Sequence, residues 1–234
     1  MSHDTPATDP TPAALAAAID HTLLKADATA AQVRALCAEA VEHGFHSVCV
    51  NPVWVDLASR ELSGKPPKVC TVAGFPLGAA APAIKAAEAA DAIARGADEI
   101  DMVMQIGALK GCEHDYVRED IRRVVEACRQ HGALCKVIIE AALLEEAEIA
   151  TACQLAVEAG ADFVKTSTGF GPGGATVEAV ALMARAVAKA GLGVKAAGGI
   201  RTADDARRML AAGATRLGTS AGVAIVGGSA AAKG

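Results

Sequence analysis

Lys165 stands where an ordinary core strand would carry valine or isoleucine. The stretch from Phe163 to Gly174 reads FVKTSTGFGPGG. Ala-Asp-Phe-Val opens an apolar strand, and lysine is among the side chains least often fully buried without a partner. Thr166, Ser167 and Thr168 add hydroxyl donors, and the glycines allow a sharp turn or a close approach to a ligand. Lys195 lies inside a second apolar run, GVKAAG over 193–198. Asp101 lies in EIDMVM, and Lys136 and Glu140 lie in CKVIIEA. Period-two alternation sets Phe163, Lys165 and Ser167 on one strand face, and Gly193, Lys195 and Ala197 on one face of the next. Two lysines in one small interior each raise the cost of charging the other, and desolvation adds to it. A lysine without its proton attacks carbonyls and forms a Schiff base. Asp101 is the candidate acid/base partner, and Lys136 with Glu140 a compensating ion pair. The opposing reading is a structural ion network. Three lysines against one or two acids balance poorly for that role, because a buried unpaired charge is costly. Lys68, Glu99 and Arg216 also fall in strand segments, but at their starts, where solvent exposure is the simpler expectation.

A second signal suits an anion. Ala196–Thr202 reads AAGGIRT and Gly218–Gly222 reads GTSAG. Backbone N–H groups at glycine turns and the positive end of a helix dipole favour phosphate. Ordinary turn glycines are the competing reading.

These residues need a scaffold, and the chain alternates strand and helix. Strand signals run over Ile19–Leu23, Ser47–Val50, Lys68–Phe75, Glu99–Met104, Cys135–Ala141, from Phe163, Gly193–Gly198 and Arg216–Ser220. Helical spacing runs over Thr29–Gly44, from Pro52, and over Pro82–Gly96, Asp115–Gly132, Glu145–Gly160, Thr176–Gly191 and Thr202–Gly213, with a short helix possible after the last strand. Eight strand-helix units of about thirty residues predict a single-domain α/β protein, a (β/α)₈ TIM barrel over 13–226. Residues 1–12 are expected to be a disordered head and 227–234 a flexible tail. A doubly wound open sheet would want GxGxxG after its first strand, which is missing. In a barrel, catalytic groups sit at the C-terminal ends of strands, and the loops after strands seven and eight frequently bind phosphate.

The totals exclude other classes. The 234 residues carry 22 basic and 27 acidic side chains, a net charge of −5, and only 3% aromatics. Such a chain has neither the field nor the stacking surface for nucleic acid. Seven cysteines without CxxC spacing predict neither a disulfide frame nor structural zinc, and fit a cytoplasmic setting. Six histidines show no metal-ligand spacing, so neither a metal nor another cofactor is expected. The start MSHDTPATDPTP lacks a signal-peptide pattern, and no uncharged apolar run could span a membrane. His21 reads as a polar rim or core residue, Trp54 as helix packing, and Cys49 as a small core residue that shares a strand face with Ser47 and Asn51.

EIDMVM, FVKTSTGF and VKAAGGIRT, with IDHTLL, VCVNP, KVIIEA and GTSAG, resemble the motifs of the deoxyribose-phosphate aldolase family over about Ile19–Ile225. The resemblance implies a metal-free class I aldolase on a TIM barrel. It would cleave 2-deoxy-D-ribose 5-phosphate to glyceraldehyde 3-phosphate and acetaldehyde in deoxynucleoside catabolism. It places the Schiff base on Lys165, the proton-relay acid on Asp101 and the perturbing lysine on Lys195. Phosphate contacts fall near Gly169, Gly198, Gly199 and Ser220, with Thr168 beside them. Asp20, Thr22, Cys49 and Lys136 are expected to complete the pocket. Ala141, Phe170 and Ala221 depart from the threonine, lysine and second serine of some members. The chain's one tyrosine, Tyr116, falls in a helix, whereas some members end in a tyrosine that assists proton transfer. The partners implied are a phosphosugar and an aldehyde, with a homodimer as the open question of assembly. Alternatives are another Schiff-base phosphosugar aldolase or synthase, a pyridoxal-phosphate enzyme, or a barrel that binds a sugar phosphate without chemistry.

Overall fold

A computed structural model describes residues 10–227. Eight parallel strands close on themselves in chain order. They are β1 (Ile19–Leu23), β2 (Ser47–Val50), β3 (Lys68–Ala73), β4 (Glu99–Val103), β5 (Leu134–Ile138), β6 (Phe163–Lys165), β7 (Gly193–Ala197) and β8 (Arg216–Thr219). The expected barrel is therefore present. Most of the disordered head and tail expected at the ends lies outside the described residues. Pro12 already belongs to a helix whose N-cap is Thr11.

Among the described residues ten α-helices accompany the strands: α1 (Pro12–Ala17), α2 (Ala30–His43), α3 (Val55–Leu62), α4 (Pro82–Ala94), α5 (Ile106–Lys110), α6 (His114–Gln130), α7 (Glu146–Ala159), α8 (Val177–Val187), α9 (Ala203–Ala211) and α10 (Gly222–Val226). Their starts are written locally. Thr29 and Thr202 each bond the backbone three residues on while Gln32 and Asp205 reach back, which satisfies donors that a helix leaves orphaned. Gly44 and Gly160 end α2 and α7 in the left-handed conformation. The short helices α1 and α5 carried too few periodic residues to be expected from pattern alone. The main apolar core lies between strands and helices: Val48, Ile100, Val137, Val164 and Leu217 point outward onto Ile121, Val124, Val180 and Met183. Alternation then turns the other set of strand positions inward, so the barrel interior is where the charged residues go.

Register fixes their neighbours. Asp101 pairs with Lys136, Lys165 with Lys195, and Lys195 with Arg216. β5 stops before Glu140, which takes a left-handed backbone at φ 53°, uncommon for a side chain of that size.

Candidate active site

The barrel interior is a column of alternating charge. At its top, Lys165 Nζ donates to Asp101 Oδ2 at 2.8 Å, and Lys195 Nζ donates to the same oxygen at 2.7 Å. The other oxygen, Asp101 Oδ1, accepts from Lys136 Nζ at 2.8 Å and from Cys70 Sγ at 3.3 Å. One layer down, Lys136 meets Glu99 at 2.5 Å and Lys195 meets Asp20 at 2.5 Å. At the base, Arg216 bridges Asp20 Oδ1 at 2.9 Å and Glu99 Oε2 at 3.0 Å, its guanidinium 5.3 Å from the centre of the Phe163 ring. Ser47 donates to Asp20 at 2.7 Å, and His46 pairs with Glu99 at 3.1 Å.

Three expectations are corrected by this geometry. Glu99 and Arg216 are not solvent-exposed strand starts: a closed barrel turns the first inward residue of each strand onto the next layer, and both are buried. Lys68, by contrast, is exposed. Lys136 does not pair with Glu140. Its partners are Asp101 and Glu99, while Glu140 turns away on its left-handed backbone and bonds the Thr168 hydroxyl. The two lysines do not face each other bare, because a shared carboxylate oxygen stands between them.

The electrostatics follow from that count. Burial alone would raise the Asp101 carboxyl, yet Lys136, Lys165 and Lys195 hold it well below the usual carboxylate range. Asp20 is likewise lowered against burial by Lys195, Lys136 and Arg216. Burial opposes the charge on Glu99 too, but the His46 hydrogen bond and Lys136 draw it down to about 2. Burial would lower Lys136 and Lys195, and the surrounding carboxylates outweigh it and raise both above an ordinary lysine. In the resting site Lys195 is thus held as the ammonium. Close packing enforces this position: a Cβ at Gly218 would lie 3.0 Å from Lys195 Cε.

Lys165 alone of the three reaches the surface of a cavity of about 300 Å³ at the C-terminal mouth. Thr22, Thr168, Gly169, Gly198, Gly199 and Ser220 line it. Asp20, Cys49 and Lys136 do not; they are wholly buried beneath its floor, and Cys49 packs with Leu24, Cys70 and Val72. Gly198 and Gly199 have φ of 85° and 82°, in the region that favours glycine, so bare backbone lines the cavity there. Lys25 and Arg201 add positive charge at the rim. Phe170 stands edge-on to Phe75 at 5.4 Å and brings no charge. The Thr166 hydroxyl ties to Ala197, and Glu140 receives Thr168, so both loops flanking Lys165 are held by polar contacts. His21 is buried and bonds Glu39 at 2.6 Å, and Trp54 packs on the core.

Residues 14–227 match the DeoC/LacD family aldolases. The chain belongs to this family. Deoxyribose-phosphate aldolase of Geobacillus sp. is 59% identical over 214 residues, 92% of this chain and 95% of that one. The enzyme of the same name from Lysinibacillus sphaericus is 58% identical over 210 residues, 90% and 93% of the two chains. The solved tetrameric deoxyribose phosphate aldolase of Aeropyrum pernix superposes with a TM-score of 0.87 at 36% identity, over 93% of this chain and 91% of that one. As in other DeoC/LacD aldolases, the scaffold here is a closed parallel barrel.

Glu99, Arg216, Ser47 and Cys70 belong to the column of this DeoC/LacD aldolase although no sequence motif singles them out. A signal was present: alternation puts Glu99 on the same strand face as Asp101. Two triads, Cys49–Cys70–Asp101 and Asp20–Cys70–Glu99, bring potential ligand atoms within 4.8 Å of one another. Their carboxylates are already bonded by ammonium or guanidinium groups, which disfavours a further cation there.

Proposed function

We propose that the chain is a class I deoxyribose-phosphate aldolase, cleaving 2-deoxy-D-ribose 5-phosphate to D-glyceraldehyde 3-phosphate and acetaldehyde through a Schiff base on Lys165. The observation that carries the reading is one lysine at the cavity floor whose proton is shared with a carboxylate that two further lysines hold ionised. Four cationic side chains (Lys136, Lys165, Lys195, Arg216) face three carboxylates (Asp20, Glu99, Asp101), leaving one positive charge in excess. Loss of a proton from Lys165, the cation with the fewest carboxylate partners, neutralises the column.

The free amine adds to the open-chain aldehyde carbon, and water leaves to give the iminium. A proton then leaves the C3 hydroxyl, the C2–C3 bond breaks, and its electron pair moves to C2 as the iminium becomes an enamine. Glyceraldehyde 3-phosphate departs. Protonation at C2 and hydrolysis release acetaldehyde and restore the amine. Asp101 Oδ2 and the Lys195 ammonium form the relay for these protons, since both meet Lys165 at one oxygen. Gly169, Gly198, Gly199 and Ser220, with Arg201 at the rim, receive the phosphate.

Incubation with acetaldehyde and borohydride is expected to add a reduced two-carbon group to Lys165. A peptide map with the adduct on Lys195 or Lys136, or none, overturns the reading. Activity is expected to survive EDTA, and purified protein to show no pyridoxal absorbance. Among the described residues no helix is long and apolar enough to cross a membrane. A cytoplasmic enzyme that assembles as a homodimer completes the proposal, and light scattering on the purified chain distinguishes dimer from tetramer.

A further inference from the structure

The base of the column lies at the far end of the barrel from the cavity, yet it is joined to Lys165 by unbroken ion pairs. Lys165 meets Asp101, Asp101 meets Lys136 and Lys195, Lys136 meets Glu99, Lys195 meets Asp20, and Arg216 bridges Glu99 and Asp20. Every link is buried, so little solvent screens one end from the other. We propose that Glu99 and Arg216, which touch no part of the cavity, set the pH range over which Lys165 reacts with a carbonyl. The proposal rests on the Schiff-base reading of Lys165 and extends it to residues that only position charge.

The sign follows from the charge count. The column carries one excess positive charge while Lys165 is protonated. Removing the negative charge of Glu99 raises that excess to two, so Lys165 sheds its proton at lower pH. Removing the positive charge of Arg216 leaves three cations against three carboxylates, so the proton is held to higher pH. Removing both restores the original excess of one. A lysine-tuned pair at the top would not predict opposite effects from two residues at the bottom. Other groups face the column from each neighbouring strand. They are Asp20 on β1, Cys49 on β2, Cys70 on β3, Lys136 on β5 and Lys195 on β7, with His46 below. Lys25 and Arg201 stand at the mouth. All remain in place in every variant.

The experiment measures the initial rate of acetaldehyde trapping by cyanoborohydride on Lys165, by mass spectrometry, as a function of pH. Acetaldehyde has no titrating group in the range, and every variant is measured in the same buffers as the parent. Glu99→Gln is expected to move the half-maximal point down, and Arg216→Met to move it up. Each shift should be about one pH unit, the scale of one unit charge acting through protein at effective dielectric ~20. Glu99→Gln/Arg216→Met should return to the parent profile, and Arg216→Lys should keep it. Coincident profiles, or two shifts of the same sign, overturn the inference. If Arg216→Met is insoluble, the near-isosteric Glu99→Gln decides alone: a fall supports the proposal and an unmoved profile overturns it. An adduct on Lys165 with unmoved profiles defeats only this inference. No adduct on Lys165 in the parent defeats the Schiff-base reading and this inference with it.

Discussion

Two places in this molecule bury lysine against aspartate, and they behave in opposite ways. In the column, Asp101 has three ammonium partners, and its carboxyl falls well below the usual range. In the helix layer, Lys85 on α4 meets Asp120 on α6 at 2.7 Å, both wholly buried. There desolvation wins: burial lowers the lysine and raises the aspartate, and one salt bridge fails to offset it. Lys85 also donates to Val103 O at 2.8 Å, and Asp120 accepts from Gln105 N at 3.0 Å, but among the described residues Asp120 Oδ1 has no partner. The difference is connectivity. Each charge in the column has at least one counter-charge and most have two or more, whereas the helix pair is a single contact. Burial makes a network of charges tight and a lone pair costly.

The largest expected effect lies at the top of the column. Lys165→Met removes the nucleophile, so turnover and the borohydride adduct should both disappear. It also removes the excess cation, so the thermal midpoint should stay level or rise. A clear loss of stability would mean that Lys165 is a structural member of the network. Asp101→Asn is expected to do both kinds of damage. Proton transfer should slow by roughly 10²–10⁴-fold, read as deuterium exchange into the methyl group of acetaldehyde. Three lysines lose their common anion, and breaking a buried pair from one side costs ~3–5 kcal/mol. Unchanged exchange would leave Asp101 a structural role only.

That asymmetry also marks what was legible in the sequence. Lys165, Asp101 and Lys195 stood out because each interrupts an apolar strand, and alternation aims all three inward. Glu99 and Arg216 were hidden by their place at strand starts, since strand tilt and closure are not encoded in any one segment. Glu140 misled for a related reason. Its spacing from Lys136 suits a pair only if the strand continues, and β5 ends before it. Lys85 and Asp120 left a weaker trace. Lys85 lies on the face of α4 that buries Ala89 and Ala92, and Asp120 lies on the face of α6 with Val117 and Val124. A polar residue on an apolar helical stripe is a sign of a buried pair, but the partner is chosen by how two helices pack.

A middle-sized effect separates the two regions by pH. Glu99 has a folded-state value of about 2, below its ordinary value of 4.5. Its stabilising contribution is therefore complete above the ordinary carboxylate range and is lost as pH falls toward 2. Asp20 and Asp101, also lowered, add to the loss in the same direction. Asp120, raised by burial, has the opposite sign: its penalty is present at neutral pH and eases on acidification. Urea midpoints measured from pH 7 down to pH 3 should fall, and Glu99→Gln should flatten the fall. A parent midpoint independent of pH would show that the column's carboxylates are not the dominant acid-sensitive groups.

The smallest expected effect comes from replacing the helix pair as a unit. Lys85→Met alone leaves Asp120 buried with only the Gln105 N–H, and Asp120→Leu alone leaves the Lys85 ammonium with only Val103 O. Each single change should destabilise by ~3–5 kcal/mol. The double variant Lys85→Met/Asp120→Leu removes both charges at similar volume. The lysine stem already packs on Gly74, whose added Cβ would lie 2.9 Å from Lys85 Cδ, so an unbranched methionine follows the same path. Replacing a buried pair with apolar residues is commonly neutral or stabilising by ~1–4 kcal/mol. The unpartnered Asp120 Oδ1 moves the expectation to the stabilising side, while the lost bonds to Val103 O and Gln105 N pull it back. The net result should lie near zero, with the proton-exchange rate at acetaldehyde unaltered. The same treatment of Asp101 and one of its lysines should remain strongly destabilising, because the remaining two cations are left without it. If the Lys85/Asp120 double variant proves as damaging as either single change, the pair is a strut for the end of β4 rather than a tolerated cost, and the contrast with the column fails.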